Sequence, residues 1–215
     1  ICLDSGCGNY EELWCTTSLR GLVAANLSAQ VLEQGVHSGD ASGIVPSSSR
    51  TLRLLLDRLE EAETGKLRVP ELFVDIPAGR LAEARAVAAA LGETVYSKFP
   101  LTCRPMSDDP AELILNRTWR PTVSVTGASG LPAMESAGNV LRPQTTVKLS
   151  LRLPPSLDGK KAAAALKKLL EKNPPYGAKV TLEVEKSGTD WNAPQLSAWL
   201  EQGVEAASKT YFGKA

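Results

Sequence analysis

Histidine is almost absent from this sequence, and several other features that would decide a function at once are missing too. His37 is the single histidine among 215 residues, so any imidazole chemistry rests on one side chain. Lysine plus arginine number 24, as do aspartate plus glutamate, so no net charge attracts nucleic acid or an anionic membrane. No apolar run approaches the ~20 residues of a membrane-spanning helix, and no signal peptide precedes the first strand. We expect a soluble, cytoplasmic protein without a nucleic-acid or membrane partner.

The sequence also lacks cysteines at zinc-finger spacing. No two of its four cysteines are separated by the two-residue gap of a zinc finger. They are Cys2, Cys7, Cys15 and Cys103. Free thiols in a reducing compartment are the favoured interpretation, because no secretory signal is present. A zinc cluster of these cysteines with His37 is the alternative.

Alternating apolar and polar residues predict strands. In the strand over 22–32, Val23, Ala25 and Leu27 are apolar while Asn26 and Ser28 are polar, which indicates one buried face. The predicted strands cover residues 12–21, 22–32, 122–127, 145–153 and 178–185.

Leucines at helical spacing predict two helices between these strands. One covers residues 46–63 with Pro46 in its first turn, and the other follows Asp158 and ends at Asn173. From residue 22 to residue 185 the order is strand, helix, strand, strand, helix, strand. This order predicts an α+β fold of the ferredoxin-like βαββαβ type, a four-stranded antiparallel sheet with both helices on one face.

The remaining segments do not belong to this six-element unit. Residues 66–118 have Pro-rich ends and a predicted helix over 80–92, so we interpret them as an insertion after the first helix. A final helix is predicted over 193–209. The unit itself covers residues 22–186, and residues 1–21 and 187–215 are interpreted as stubs of a neighbouring domain in a longer chain.

The fold alone does not select a function. An RNA-recognition module is excluded, because the outward-facing residues of the strands include no aromatic side chain and are not surrounded by basic residues. A self-contained Ser-His-Asp triad is disfavoured, because Ser38, His37 and Asp40 are too close in sequence to adopt triad geometry without strain. We therefore expect no catalysis by this chain alone.

Five segments in order resemble one protein family. The segments are LDSGCGNYEELWCTTSLRG, GVHSGDASGIVPSSSRTLRLLLDRL, TWRPTVSVTGASG, AGNVLRPQTTVKLSLRLPP and TDWNAPQLSAWLEQGVEAASKTYFGKA. They are similar to the lid, or dimerisation, domain of the zinc-dependent aminopeptidase, aminoacylase and carnosinase-type dipeptidase family, and most similar to its carnosinase-like branch. In that family a catalytic domain holds two zinc ions, and the inserted lid pairs with the lid of a second subunit. The resemblance implies a homodimer, a catalytic domain of the same protein and a dipeptide-like substrate.

The resemblance also implies roles for four residues. His37 corresponds to the lid histidine that reaches the partner's active site and hydrogen-bonds the oxygen that becomes negative during hydrolysis. Arg152 would bind the terminal carboxylate of the substrate, and Asn139 would contact substrate beside the histidine. Asp4 would be a metal-ligating carboxylate. Because one carboxylate does not hold a zinc ion, this fragment alone is expected to be inactive and free of zinc.

Two functions of different classes stay open. The chain is either the dimerisation and substrate-capping domain of a di-zinc metallopeptidase, or a stand-alone ferredoxin-like module for ligand binding or regulation. Asp4 and the final helix favour the first, since a free-standing module has no use for them. For the dimer, an exposed strand edge is the expected contact, and the strand over 22–32 and the helix over 46–63 are the elements to examine.

Overall fold

A four-stranded antiparallel sheet forms the centre of the computed structural model, which describes residues 6–214. The strands are β1 (Gly21–Gln30), β2 (Val36–His37), β3 (Thr122–Ser129), β4 (Val140–Leu141), β5 (Gln144–Leu153) and β6 (Lys179–Gly188). The large sheet has the order β3-β5-β1-β6, and β2 pairs with β4 in a separate two-stranded sheet. The fold is therefore of the mixed α/β class with an antiparallel sheet.

Seven α-helices accompany the strands in the described part of the chain. They are α1 (Ser38–Ala41), α2 (Ser48–Leu59), α3 (Ala78–Leu91), α4 (Thr94–Ser97), α5 (Pro110–Thr118), α6 (Gly159–Glu171) and α7 (Ala198–Phe212). Ser47 caps α2 by accepting a hydrogen bond from the Arg50 amide, and Asp158 caps α6. The predicted cap at Asp158 is thus confirmed, whereas Pro46 lies before α2 and not in its first turn.

The main core lies between one face of the sheet and the helices α2 and α6. The odd-numbered residues of β1 are buried and the even-numbered ones are partly exposed, as the alternation of the sequence predicts. Leu27 of β1 stands opposite Val147 and Leu182 on its two neighbours. The helices contribute buried leucines to this core, namely Leu52, Leu55, Leu59, Leu166 and Leu170.

Strand β1 is an interior strand and offers no free edge. It pairs over its length with β5 on one side and β6 on the other. The suggestion that the 22–32 strand supplies a dimer edge is therefore wrong. The strand also ends at Gln30, because the amides of Val31 and Leu32 turn to the carbonyl oxygen of Pro143.

Two further predictions at the ends of the chain are wrong. No strand covers residues 12–20; only Ser18 forms an isolated bridge, with Asn192. The last helix begins at Ala198 rather than at residue 193, with Ser197 at its start, so Pro194 lies outside it. Helices α3, α4 and α5 share a small core of their own, formed by Ala84, Val95, Ile114 and Leu115.

Candidate functional site

The small β2-β4 sheet brings two of the predicted site residues together. His37 pairs with Val140, and the amide of Ser38 donates a hydrogen bond of 2.9 Å to the carbonyl oxygen of Asn139. His37 and Asn139 therefore lie on adjacent backbone segments although 102 positions separate them in the sequence. Both are exposed. We call these segments, residues 36–41 and 138–141, the histidine loop.

The imidazole of His37 is oriented by its own loop. Its Nδ1 accepts a hydrogen bond of 3.2 Å from the Gly39 amide, which makes the ring the N-terminal cap of α1. Because Nδ1 accepts, the neutral ring has its proton on Nε2. The side chain is 62% exposed, and Asp40 lies 3.9 Å from Nδ1. Nε2 is thus a hydrogen-bond donor that points away from the ring's own anchoring contact.

Buried polar contacts attach the histidine loop to the main sheet. Ser48, at the start of α2, shares a hydrogen bond of 2.7 Å with Thr145 of β5, and both side chains are buried. Ser48 also donates to the carbonyl oxygen of Arg142, whose own Nε donates to Gly130. These contacts hold the segment between β4 and β5 in place, and with it the backbone that pairs with His37.

Arg152 lies at the other end of β5. It is eight residues beyond Gln144, about 27 Å away at the rise of an antiparallel strand. It stands directly opposite Leu22 of β1 and Thr122 of β3, on the face of the sheet away from α2 and α6. Within one chain the structure therefore separates Arg152 from His37 and Asn139.

A cleft of about 330 Å³ surrounds Arg152. Arg20 and Arg117 line it as well, together with Asp190. The Arg20 guanidinium donates to the carbonyl oxygen of Asn116 and to the hydroxyl of Thr122. Sequence analysis missed Arg20 and Arg117, because no motif links positions so far apart and only the fold, in which Arg20 hydrogen-bonds to Asn116 and Thr122, brings them together.

This end of the sheet is also where the flanking segments meet. The amide of Leu19 donates to the carbonyl oxygen of Trp191, and the amide of Ala193 donates to that of Thr17. The segments before β1 and after β6 therefore run side by side. We call this the entry end of the domain, and the opposite end, beside the histidine loop, the distal end.

No metal site is present among residues 6–214. No group of three or more histidine, cysteine, aspartate or glutamate side chains is placed to hold an ion there. Cys7, Cys15 and Cys103 are exposed free thiols and form no such group with His37, while Cys2 lies outside the described residues. Asp4, the predicted metal ligand, lies outside the described residues. The described donor set thus does not fit a zinc ion.

In the part of the chain that the structure describes, no helix is long and apolar enough to span a bilayer.

One family model matches this chain. The family model described as "Peptidase dimerisation domain" matches residues 17–178, most of the chain. Curated proteins gave no match. The match covers three of the four strands of the large sheet, β1, β3 and β5, and ends just before β6; it includes His37, Asn139 and Arg152.

Solved structures share the fold. Dug1p, a dipeptidase from Saccharomyces cerevisiae, is 21% identical with a TM-score of 0.69, and the match covers 92% of this chain and 42% of that one. Human carnosine dipeptidase 1 is 20% identical with a TM-score of 0.71, covering 95% and 44%. The M20 family metallo-carboxypeptidase Sso-CP2 from Sulfolobus solfataricus is 15% identical with a TM-score of 0.65, covering 92% and 50%. This chain spans at most half the length of these structures.

Proposed function

Because the chain belongs to the peptidase dimerisation domain family, we propose that it is the dimerisation and substrate-capping domain of a di-zinc metallopeptidase acting on dipeptides or related amides. The sheet order β3-β5-β1-β6, with α2 and α6 on one face, supports a ferredoxin-like βαββαβ domain over residues 22–186 with an insertion at 66–118. Residues 1–21 and 187–215 are then the parts that belong to the catalytic domain.

The observation that supports this proposal most is the separation of the site residues along β5. A catalytic domain attached through residues 17–19 and 191–193 lies at the entry end, beside Arg152. His37 and Asn139 lie at the distal end, the opposite end of the sheet from these attachment segments. We infer that Arg152 serves the active site of its own subunit, while His37 and Asn139 serve the partner's active site.

Each side chain suits its proposed task. The Nε2–H of His37 is free to donate one hydrogen bond to an oxygen that becomes negative during hydrolysis, a contact worth about 3 kcal/mol in a water-excluded site. The guanidinium of Arg152 can bind a planar carboxylate through two parallel hydrogen bonds. Since the described residues do not fit a zinc ion, the metal ligands of such an enzyme must come from elsewhere in the protein.

Exposed aromatic side chains near the entry segments support a covering domain. Tyr10, Trp199 and Tyr211 are largely exposed. Helix α7 contacts the segment before β1 through Leu13, whose amide donates to the buried hydroxyl of Ser208. Large exposed aromatics are costly in water and are typical of surfaces that another part of a protein covers. A stand-alone module gives no reason for them.

The dimer contact is proposed at the free edge of β3. The opposite edge strand, β6, is blocked by its own helix, because Leu182 donates its amide proton to Glu171 and its carbonyl oxygen accepts from Lys167. Charged residues also occupy β6, which disfavours edge pairing. By contrast, β3 has the uncharged sequence TVSVTGAS. Its backbone makes no hydrogen bond outside the sheet among residues 6–214.

Sedimentation equilibrium of this chain tests the proposed contact. Val125 of β3 is 51% exposed and Val184 of β6 is 36% exposed, so the two valines form a matched pair on opposite edges. Val125→Lys places like charges across the two-fold axis of a β3-β3 contact, and we expect the dimer dissociation constant to rise at least about tenfold, equivalent to 1.4 kcal/mol. Val184→Lys should leave the dissociation constant unchanged.

Far-UV circular dichroism and thermal unfolding of both variants verify that the fold is intact. A wild-type chain that stays monomeric at all concentrations would contradict dimerisation through this domain. A dimer that Val184→Lys weakens more than Val125→Lys would move the contact to the β6 edge.

A further inference from the structure

Three arginines converge on one small cleft at the entry end. Arg20, Arg117 and Arg152 come from the segment before β1, from the end of α5 and from β5, and together with Asp190 they line about 330 Å³. We call this the arginine cleft. At about 30 Å³ per water molecule, its volume corresponds to roughly ten waters, enough for an amino-acid residue.

The positive charges of the cleft are not neutralised by the described part of the chain. None of the ion pairs among residues 6–214 involves Arg20, Arg117 or Arg152, and Asp190 is the single carboxylate on the lining. Burial, followed by the Arg152 and Arg117 guanidinium groups, lowers the pKa of Arg20 to about 10. Like charges held this close destabilise the free protein, and an anionic ligand relieves the repulsion.

The three guanidinium groups are not equivalent. Arg20 is half-buried, and its hydrogen bonds to Asn116 and Thr122 fix it between α5 and β3. Arg117 and Arg152 are exposed and make no hydrogen bond among the described residues. The cleft therefore presents two free guanidinium forks, each matched to a planar carboxylate, beside one fixed positive charge.

We propose that the arginine cleft binds a ligand with two carboxylate groups, Arg152 taking one and Arg117 the other. The inference rests on the proposed function, in which Arg152 binds the terminal carboxylate of the substrate. The second carboxylate is then the side chain of an acidic C-terminal residue. The substrate class is dipeptide-like molecules that end in aspartate or glutamate, and Arg117 is the residue that determines this preference.

Isothermal titration calorimetry of this chain tests the proposal without any catalytic domain. The probes are N-acetyl-L-aspartate, which has two carboxylates, and N-acetylglycine, which has one, both at neutral pH and equal ionic strength. We expect the dianion to bind at least about tenfold more tightly, because a second charge-assisted pair contributes roughly 1.5 to 3 kcal/mol. Arg117→Gln should remove this preference, weakening N-acetyl-L-aspartate at least about tenfold and N-acetylglycine much less, whereas Arg152→Gln should weaken both ligands.

Two further variants complete the design. Arg117→Lys keeps the charge but removes the fork, so it should retain only part of the preference. Arg53→Gln is the matched control, since Arg53 is exposed on α2 and lies in the helical layer on the opposite face of the sheet. Equal affinity for the two probes, or an equal effect of Arg53→Gln and Arg117→Gln, would overturn the proposal. Inorganic phosphate that binds as tightly as N-acetyl-L-aspartate would also overturn it, by showing a general anion site.

The result is independent of the dimer experiment. A chain that dimerises through β3 but shows no dianion preference leaves the proposed function standing and removes this inference. A chain that prefers the dianion but stays monomeric keeps the dicarboxylate site of the arginine cleft and contradicts dimerisation through this domain.

Discussion

The imidazole of His37 has two different nitrogens in two different situations. Nδ1 is used within the loop, where it caps α1 through the Gly39 amide, and Nε2 is left for an external acceptor. A histidine held in this way needs no carboxylate or second histidine beside it, because a backbone amide fixes its tautomer. A single imidazole in a polar, glycine-containing loop is thereby sufficient for a donor role, although not for acid–base chemistry with a partner side chain.

Gly130, directly after β3, is a position where the fold requires glycine. Its φ is +87°, and an added Cβ would overlap the carbonyl oxygen of Gln144 at the start of β5. We expect Gly130→Ala to lower the free energy of unfolding by about 1 to 3 kcal/mol, because a left-handed backbone and a backbone clash occur together. Urea denaturation measures this loss.

Gly79 provides the control for that substitution. It lies in the first turn of α3 with open space where its Cβ would be. Gly79→Ala should be neutral or slightly stabilising, since alanine is the better helix former. Equal effects of the two substitutions would contradict a special backbone requirement at Gly130.

The ion pair between Lys167 and Glu171 on helix α6 hydrogen-bonds to the backbone of Leu182 on strand β6, and we call this set of contacts the clamp. Glu171 accepts from the Leu182 amide at 2.8 Å and from Lys167 at 2.6 Å, while Lys167 also donates to the Leu182 carbonyl oxygen. Burial alone raises the pKa of the Glu171 carboxyl, but the hydrogen bonds from Leu182 and Lys167 outweigh it and leave the pKa below its usual value. The clamp therefore favours the ionised carboxylate.

The stability of the clamp should depend on pH. Because the folded pKa of Glu171 is lowered, its contribution is fully present above the unfolded value of about 4.3 and is lost as pH falls through the folded pKa. Glu171→Gln should reduce the free energy of unfolding at neutral pH, and the difference from wild type should shrink toward about pH 3. Urea titrations at several pH values follow this difference.

Glu201 on α7 is the matched control, an exposed glutamate without an ion pair among the described residues. Glu201→Gln should give only a small difference from wild type at neutral pH. A Glu171→Gln difference that stays constant down to pH 3 would contradict the role of the charge.

The elements that sequence predicted well are those whose periodicity reflects one buried face. Strands β1 and β5 alternate strictly, and the leucines of α2 and α6 recur at helical spacing, so these elements appear close to their predicted bounds. The predicted strand over 12–21 is wrong because its alternation has no sheet to pair with. Helix α5 was missed although Asp109 and Pro110 form a helix-start signal, since a nine-residue helix shows little periodicity.

The candidate site was harder to predict than the fold. The resemblance supplied His37, Asn139 and Arg152, and the backbone pairing of β2 with β4 explains why the first two lie together. Their separation from Arg152 along β5 could not be read from sequence, because it depends on which end of each strand faces the entry segments. The same is true of Arg20 and Arg117, which meet only through long-range packing.

At the scale of the whole molecule, the two ends of the sheet predict how subunits share their work. In the complete enzyme of our proposal, one active site combines Arg152 of its own subunit with His37 of the partner. We therefore expect His37→Ala and Arg152→Ala enzymes, each nearly inactive, to regain activity when their subunits are mixed. Random assortment makes half of the dimers hybrid with one intact site each, so about a quarter of wild-type activity should return.

Mixing two different preparations of the His37→Ala enzyme is the control and should restore nothing. If hybrid dimers form, as shown by differently tagged subunits, and activity still does not return, then both residues serve the same subunit's site. That outcome would contradict the division of roles between the entry end and the distal end.

The paired segments at the entry end have a consequence for how such a domain could be acquired. Residues 17–19 and 191–193 already hydrogen-bond to each other, so the two attachment points are neighbours before any host surrounds them. For a host protein the whole domain is topologically equivalent to a short surface loop, and closing that loop costs almost no additional chain entropy. A unit with this geometry can be transplanted between unrelated hosts, and its folding need not wait for theirs.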